Sequence, residues 1–297
     1  MITSAPAQIT FERILIPTDF SDVSGRAIEY GKSIATRYNA QILLTHVNQQ
    51  VHSAPPIDEG GLSNAIQQAI EQQLEQEGAE LRSEGFHVRT ISVTGKVQEE
   101  VLSAVNREKA DLVVLGTHGE TGIERLLFGS DAEALLRNSP CPVLVVGPVT
   151  QSPSNLAWHP SNIVCASDLN PDTATIAAYA YMIAREFQAA FTLLHVQDPV
   201  KKEKKSDLQL FEKAFEHILP DQPSPIVAFR NMSPGNAGFA IVDFATDRNA
   251  DLIVMGAHTA SSTATHLMRG LVPQIITDTP CPVLIIHKQG HEEVALS

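Results

Sequence analysis

The sequence predicts two tandem α/β domains, each a parallel sheet with helices on both faces. Three observations predict it. The chain contains itself twice. Apolar runs of strand length alternate with stretches of helical period in each copy. One of those runs opens into a glycine pattern, Gly116-x-x-Gly119-x9-Gly129-Ser130. Strands that alternate with helices form parallel sheets covered on both faces, and continuous apolar strands such as Leu112–Leu115 fit burial on both sides.

The duplication is direct. Arg13-Ile-Leu-Ile-Pro-Thr-Asp-Phe-Ser21 matches Asn162-Ile-Val-Cys-Ala-Ser-Asp-Leu-Asn170, and Leu43-Leu-Thr-His-Val47 matches Thr192-Leu-Leu-His-Val196, which sets His46 on His195. Ala110-Asp-Leu-Val-Val-Leu-Gly-Thr-His118 matches Ala250-Asp-Leu-Ile-Val-Met-Gly-Ala-His258, and Pro140-Cys-Pro-Val matches Pro280-Cys-Pro-Val. The offset is 149 residues early in the copy (19 to 168) and 140 late (116 to 256), so the first copy carries extra residues in between. A period this long means whole domains and not a solenoid. The expected boundaries are 1–150 and 151–297, with residues 150–161 as the linker.

In the first copy Ile14–Pro17 is a strand. Residues 23–38 form a helix with Ala27, Tyr30, Ile34 and Ala35 on one face. Gln41–Val47 is the second strand, followed by a polar, proline-containing loop. Leu62, Ile66, Ala69, Ile70 and Leu74 make the stripe of a helix over 62–81. Val88–Val93 is a strand, Val97–Arg107 a helix, Asp111–Leu115 a strand, Ser130–Arg137 the start of the last helix and Val143–Val146 the fifth strand. The second copy repeats this order, with a shorter lysine-rich crossover near 198–215.

A strand, a glycine-rich loop and a helix N-terminus together can cradle phosphate on backbone N–H groups. The pattern is neither a P-loop, since G-K-[ST] is missing, nor the G-x-G-x-x-G dinucleotide turn. Gly116, Thr117, His118 and Gly119 would form one wall, and Gly129, Ser130 and Asp131 the other. Ser130-x-x-Glu133 also spells a capping box, and a cap and an anion site can share one helix end.

The carrying motifs Ile16-Pro-Thr-Asp-Phe-Ser21, Gly116-Thr-His-Gly119, Phe128-Gly-Ser130 and the Pro-Cys-Pro-Val strand entry make the chain resemble a tandem universal stress protein over roughly 10–148 and 160–288. The resemblance implies an adenine-nucleotide alpha-hydrolase-like, Rossmann-like fold with strand order 3-2-1-4-5 in each copy. Strands 1 and 4 are then neighbours whose connections leave to opposite faces, the place where such sheets bind ligands. It also implies ATP, ADP or AMP as ligand, with or without Mg²⁺. Asp19 would lie near the base, ribose or metal, beside Pro17 and Thr18, and Val47 would offer backbone groups to an adenine edge. The two domains are expected to pair as an intrachain pseudo-dimer, and chains to form a homodimer.

Glu120 and Asp131 bring negative charge to the glycine loop, which repels a triphosphate unless a cation intervenes. In the second copy Gly119 becomes Thr259, Gly129 becomes Arg269 and Ser130 becomes Gly270, while Asp168 and Gly256 are kept. The expectation is one competent nucleotide site, in the N-terminal domain, with a structural or regulatory C-terminal domain. No committed catalytic set stands out. The leading reading is a ligand-state-dependent stress sensor or regulator. The alternatives are a slow Mg-dependent ATPase or autophosphorylating enzyme, and a nucleotide-free dimeric scaffold.

Composition narrows the rest. The formal net charge is −13, with 11 basic against 19 acidic side chains in residues 1–150 and 10 against 15 in 151–297. Both halves are acidic, which disfavours a nucleic-acid surface. Three cysteines without a C-x-x-C pair read as buried, inert thiols. His46, His118, His195 and His258 read as hydrogen-bonded structural residues, since no metal-ligand spacing is present. No apolar stretch of membrane-spanning length and no secretory signal is visible, so the expected location is the cytoplasm, away from membranes.

Overall fold

The computed structural model describes residues 9–49, 60–117, 130–153, 158–197, 205–220, 222, 225, 227–231, 236–257 and 271–287. It divides into two compact units. One takes Thr10–Val146 with Ser152–Trp158, and the other takes the residues from His159 with Gly147–Gln151.

The first unit runs β1 (Arg13–Pro17), α1 (Asp22–Tyr38), β2 (Gln41–Asn48), α2 (Gly60–Ser83), β3 (Val88–Thr94), α3 (Val97–Glu108), β4 (Leu112–Gly116), α4 (Ser130–Asn138) and β5 (Val143–Val146). Its sheet is parallel, in the order β3-β2-β1-β4-β5, the order that the family resemblance implies. The second unit runs β6 (Asn162–Ala166), a 3₁₀ turn at Pro171–Thr173, α5 (Ala174–Phe187), β7 (Ala190–Gln197), α6 (Lys205–Ile218), β8 (Val227–Asn231), α7 (Ala237–Asp247), β9 (Leu252–Gly256), α8 (Leu271–Asp278) and β10 (Val283–Ile286). Its strands take the same relative order, β8-β7-β6-β9-β10, again parallel.

Burial explains why the central strands are apolar throughout. Ile14, Leu15 and Ile16 are each 0% exposed, as are Cys165, Ile253 and Val254 in the second sheet. Each large side chain so buried contributes about 1.5–3 kcal/mol. The helices start and stop on local signals. Ser21 caps α1 by accepting from the Ser24 N–H, and Asn39 ends it in the left-handed region at φ 54°. Lys109 and Gln188 end α3 and α5 in the same way, at φ 53° and 55°.

The repeated Ala-Asp pair before β4 and β9 has a structural purpose. The Asp111 carboxylate accepts from the backbone N–H of Glu12 at 2.7 Å and of Arg13 at 3.2 Å. Asp251 does the same for Ser161 at 2.7 Å and Asn162 at 3.0 Å. Each aspartate ties the start of its unit's first strand to the neighbouring fourth strand.

The units differ over their edge strands. The burial pattern of Leu74, Gly78 and Leu81 on α2 recurs as Phe211, Phe215 and Ile218 on α6. At Gly78 an added Cβ would lie 2.4 Å from the Thr90 methyl, so α2 can press closely onto β3. With Phe215 in that place, α6 packs on α5 and the 3₁₀ turn instead, and Phe229 on β8 is 48% exposed.

Asp111→Ala removes the acceptor for two backbone N–H groups and should lower the unfolding free energy by about 1–3 kcal/mol, measured by urea denaturation. Unchanged stability would show that the clamp contributes nothing.

Candidate functional site

The site is built where β1 ends. Pro17 is the last residue of β1, in register with Thr45 of β2. Thr18 is 5% exposed, and its N–H continues the ladder to the Thr45 carbonyl at 2.8 Å. The chain then turns through Phe20, which has φ 64°. A phenylalanine pays a steric cost in the left-handed region, and side chains hold it there. The Thr18 hydroxyl accepts from the Phe20 N–H at 3.1 Å and lies 3.3 Å from Ser24 Oγ. The Phe20 ring stacks on His46, with centroids 4.7 Å apart and 20° between planes.

Asp19 is committed locally. Its Oδ1 accepts from the Ser21 N–H at 3.1 Å and from the Ser21 hydroxyl at 2.6 Å. Ser21 in turn caps α1. Asp19 therefore orients the cap and is not itself the capping residue.

His46 is the structural histidine expected. Its Nδ1 lies 2.8 Å from the Thr18 carbonyl. A carbonyl only accepts, so Nδ1 carries the proton and Nε2 is left as the acceptor in the neutral ring. His195 repeats this bond to the Ser167 carbonyl, also at 2.8 Å. The second turn is rebuilt around it: Leu169 has φ 57°, its N–H donates to the Ser167 hydroxyl at 3.0 Å, and Asp168 Oδ1 accepts from the Asn170 N–H at 3.0 Å and the Thr173 hydroxyl at 3.1 Å.

The structure brings β1 and β4 together as neighbours, and with them two of the motifs. Gly116 ends β4 against the first turn of α1. A Cβ there would lie 2.9 Å from the carbonyl carbon and oxygen of Val23 and 3.0 Å from the Ser24 nitrogen. The glycine is thus explained by helix packing beneath the crevice, a reason the motif alone did not reveal. Thr117 is 9% exposed and turns inward; its N–H and hydroxyl both donate to the Val146 carbonyl, at 3.2 and 3.4 Å. His118, Gly119 and Gly129 lie outside the described residues, as do Glu120 and, in the second unit, His258, Thr259, Arg269 and Gly270. Ser130 and Asp131 open the backbone of α4; their side chains and that of Glu133 are likewise outside the described residues.

Val47 faces the crevice through its backbone. Successive residues of a strand turn their N–H and C=O to opposite neighbours. The Gln41 N–H and the Thr45 carbonyl bond the β1 side, while the Ile42 N–H bonds His87 on the β3 side. Val47, two residues beyond Thr45, therefore points its backbone groups past the end of β1.

No cluster of three or more His, Cys, Asp or Glu side chains able to hold a metal is present among the described residues. The three thiols are buried, and burial raises Cys141 to about 11, Cys165 to about 12 and Cys281 to about 11. No helix among the described residues is long and apolar enough to cross a membrane.

These features define a class: a doubly wound α/β unit whose first and fourth strands are neighbours, the position where such sheets bind ligands, present in duplicate. The model of the universal stress protein family matches residues 10–147 and again 160–287, and the chain belongs to that family. A universal stress protein of Methanocaldococcus jannaschii is 35% identical over 144 residues, covering 46% of this chain and 82% of its own length. One from Thermus aquaticus is 30% identical over 144 residues, covering 46% of this chain and 98% of itself. Each spans one unit. The crystal structure of a universal stress protein from Archaeoglobus fulgidus covers 94% of this chain and 97% of that chain, with a TM-score of 0.71 at 20% identity, and so shares the fold over both units.

Gly116→Ala should destabilise the first unit by about 1–3 kcal/mol, because the atoms in the way are backbone and cannot rotate aside. Thermal unfolding indistinguishable from the unaltered chain would refute that packing account.

Proposed function

We propose that the chain is an adenine-nucleotide-binding protein of the stress response, with ATP, ADP or AMP held in the first unit and its conformation or partnering following ligand state. The observation that carries this reading is the convergence at the end of β1. There the Thr18–Ser21 turn, the first turn of α1, the end of β4 at Gly116 and the crevice-facing backbone of Val47 meet at one switch point.

In this reading the Val47 backbone takes the adenine edge, beside Pro17 and Thr18. Asp19 has one oxygen fixed by Ser21; the other serves the ribose or a bound Mg²⁺. The phosphates lie over Gly116–Gly119 and Gly129–Asp131, with Ser130 adding a hydroxyl. Mg²⁺ would offset the charge of Glu120 and Asp131. In the second unit Arg269 stands where the first has Gly129, so that unit acts as the structural or regulatory partner. The acidic surface and the absence of a spanning helix among the described residues fit a cytoplasmic protein without nucleic-acid partners.

Calorimetry with ATP, with and without Mg²⁺, tests the reading. One equivalent should bind, and Gly129→Arg should weaken binding by at least about tenfold, or about 1.4 kcal/mol. Absence of binding with and without Mg²⁺ would overturn it, and equal affinity in EDTA would remove the metal from it. A nucleotide seated only in the second unit would reverse the assignment of roles.

A further inference from the structure

β8 is the outer strand of the second unit. Among the described residues it has β7 on one side and no strand on the other. The ladders fix which backbone groups open onto that free edge. The Ala190 N–H bonds Ser161, and the Leu194 carbonyl accepts from Ser167. Alternate residues of a strand serve opposite neighbours, so Leu193, His195 and Gln197 serve β8. They are in register with Val227, Phe229 and Asn231. In a parallel pair such residues bond to the positions flanking their partners, which here include Ala228 and Arg230. Val227, Phe229 and Asn231 therefore turn their own N–H and C=O groups outward.

The first unit treats the equivalent edge differently. There His46 is in register with Ser92, as His195 is with Phe229, so Phe229 takes the place of a serine. Ser92 accepts from Asn48, and Thr90 is bonded to Glu75 of α2, which lies on β3. In the second unit α6 packs on α5 and the 3₁₀ turn, and the Phe229 ring meets His195 edge-on, with centroids 6.0 Å apart. On the opposite face Arg230 reaches Asp243 and Asp247 of α7, at 2.5 and 3.2 Å. Phe239 stands one turn before Asp243 in the same column of that helix and is 57% exposed. The free edge thus carries an exposed phenylalanine on one face, with another beside it on the helix over the other face.

We propose that β8 pairs with β8 of a second copy of this chain, antiparallel and about a twofold axis at Phe229. In that register the strand is its own complement. Phe229 meets Phe229, Val227 meets Asn231, and Ala228 meets Arg230. The three residues with outward backbone groups fall opposite one another, and each such pair exchanges both of its N–H···O bonds. A shift of one residue would set outward groups against inward ones, and a shift of two would shorten the ladder.

Side chains favour the same arrangement. The two Phe229 rings form an aromatic cross-strand pair, a stabilising kind of contact between paired strands. Charge does not oppose it. Arg230 is the single charged residue of β8, it falls opposite Ala228, and its guanidinium is already matched by Asp243 and Asp247. Edge strands that avoid pairing are commonly blunted by lysine or proline, and Val227–Asn231 contains neither. An extended strand is the partner that satisfies such an edge, and a second copy offers one of matching register. The contact is one short strand wide, at the low end of interface sizes, where association is weak and reversible.

Sedimentation of the full, unliganded chain between about 1 and 100 μM tests the pairing, together with hydrogen exchange of the β8 and β3 peptides. Mass should rise toward that of a dimer with concentration, and exchange in β8 should slow in step while β3 is unaffected. Phe229→Ser, which copies the first unit, should raise the dimer dissociation constant by at least about tenfold. Val227→Pro removes an outward N–H at the first residue of the strand, where proline leaves the ladder to β7 intact, and should do the same. It carries the test alone should Phe229→Ser fail to fold. A chain that stays monomeric throughout would overturn the proposal. So would a dimer that the folded variants leave intact, since the contact then lies elsewhere. Equal protection of β8 at every concentration would also overturn it, by showing that the same chain covers its own edge. No nucleotide enters the measurement, so its result is independent of whether the crevice binds one.

Discussion

The carbonyl of Thr18 lies just past the end of β1, a strand flanked on both sides, at the point where the chain must leave the sheet. It is satisfied by the imidazole of His46, 2.8 Å away. A buried carbonyl needs a donor, and a histidine on the adjacent strand supplies one without requiring β1 to continue. That frees the next residues to reverse direction. Phe20 can then adopt its positive φ, Ser21 can begin α1, and the first turn of α1 can come to rest against the end of β4. Without this bond the carbonyl would be left buried and unsatisfied, at a cost of about 1–3 kcal/mol. The second unit reaches the same solution with His195 and Ser167, although Leu169 and a 3₁₀ turn replace Phe20 and the first turn of the helix.

The duplication separates what the fold needs from what is added to it. The imidazole–carbonyl bond, the aspartate clamp on the first strand and the Pro-Cys-Pro strand entry are present in both units. The residues that vary lie in other places: Gly78 against Phe215 on the helix over the edge strand, and Gly129 against Arg269 in the glycine loop. The first set satisfies backbone groups, whose demands are the same wherever the chain takes that path. The second set acts through side-chain volume and charge, and these can diverge once two copies share one chain.

Much of the fold was legible because its signals are local. Strand length and helical period place each element of the first copy to within a residue or two, and helix ends are inherently uncertain by that much. The strand order came from family resemblance, since nothing in a strand's own residues names its neighbour. The site was only partly legible. That Asp19, Thr18 and Gly116 converge follows from topology once the order is known. The reason for Gly116 did not follow, because the obstruction is the backbone of α1, which is remote in sequence. His46 was identified by its recurrence, but its acceptor is 28 residues away.

All three thiols lie inside sheet or strand-entry positions, with burial holding them in the protonated form. The thiolate is the species that oxidants and alkylating reagents attack. Burial therefore shields all three cysteines from such reagents while the fold is intact. The same property turns them into internal reporters. Cys141 belongs to the first unit, and Cys165 and Cys281 to the second, so a maleimide that reaches a given cysteine records which half of the chain has come apart.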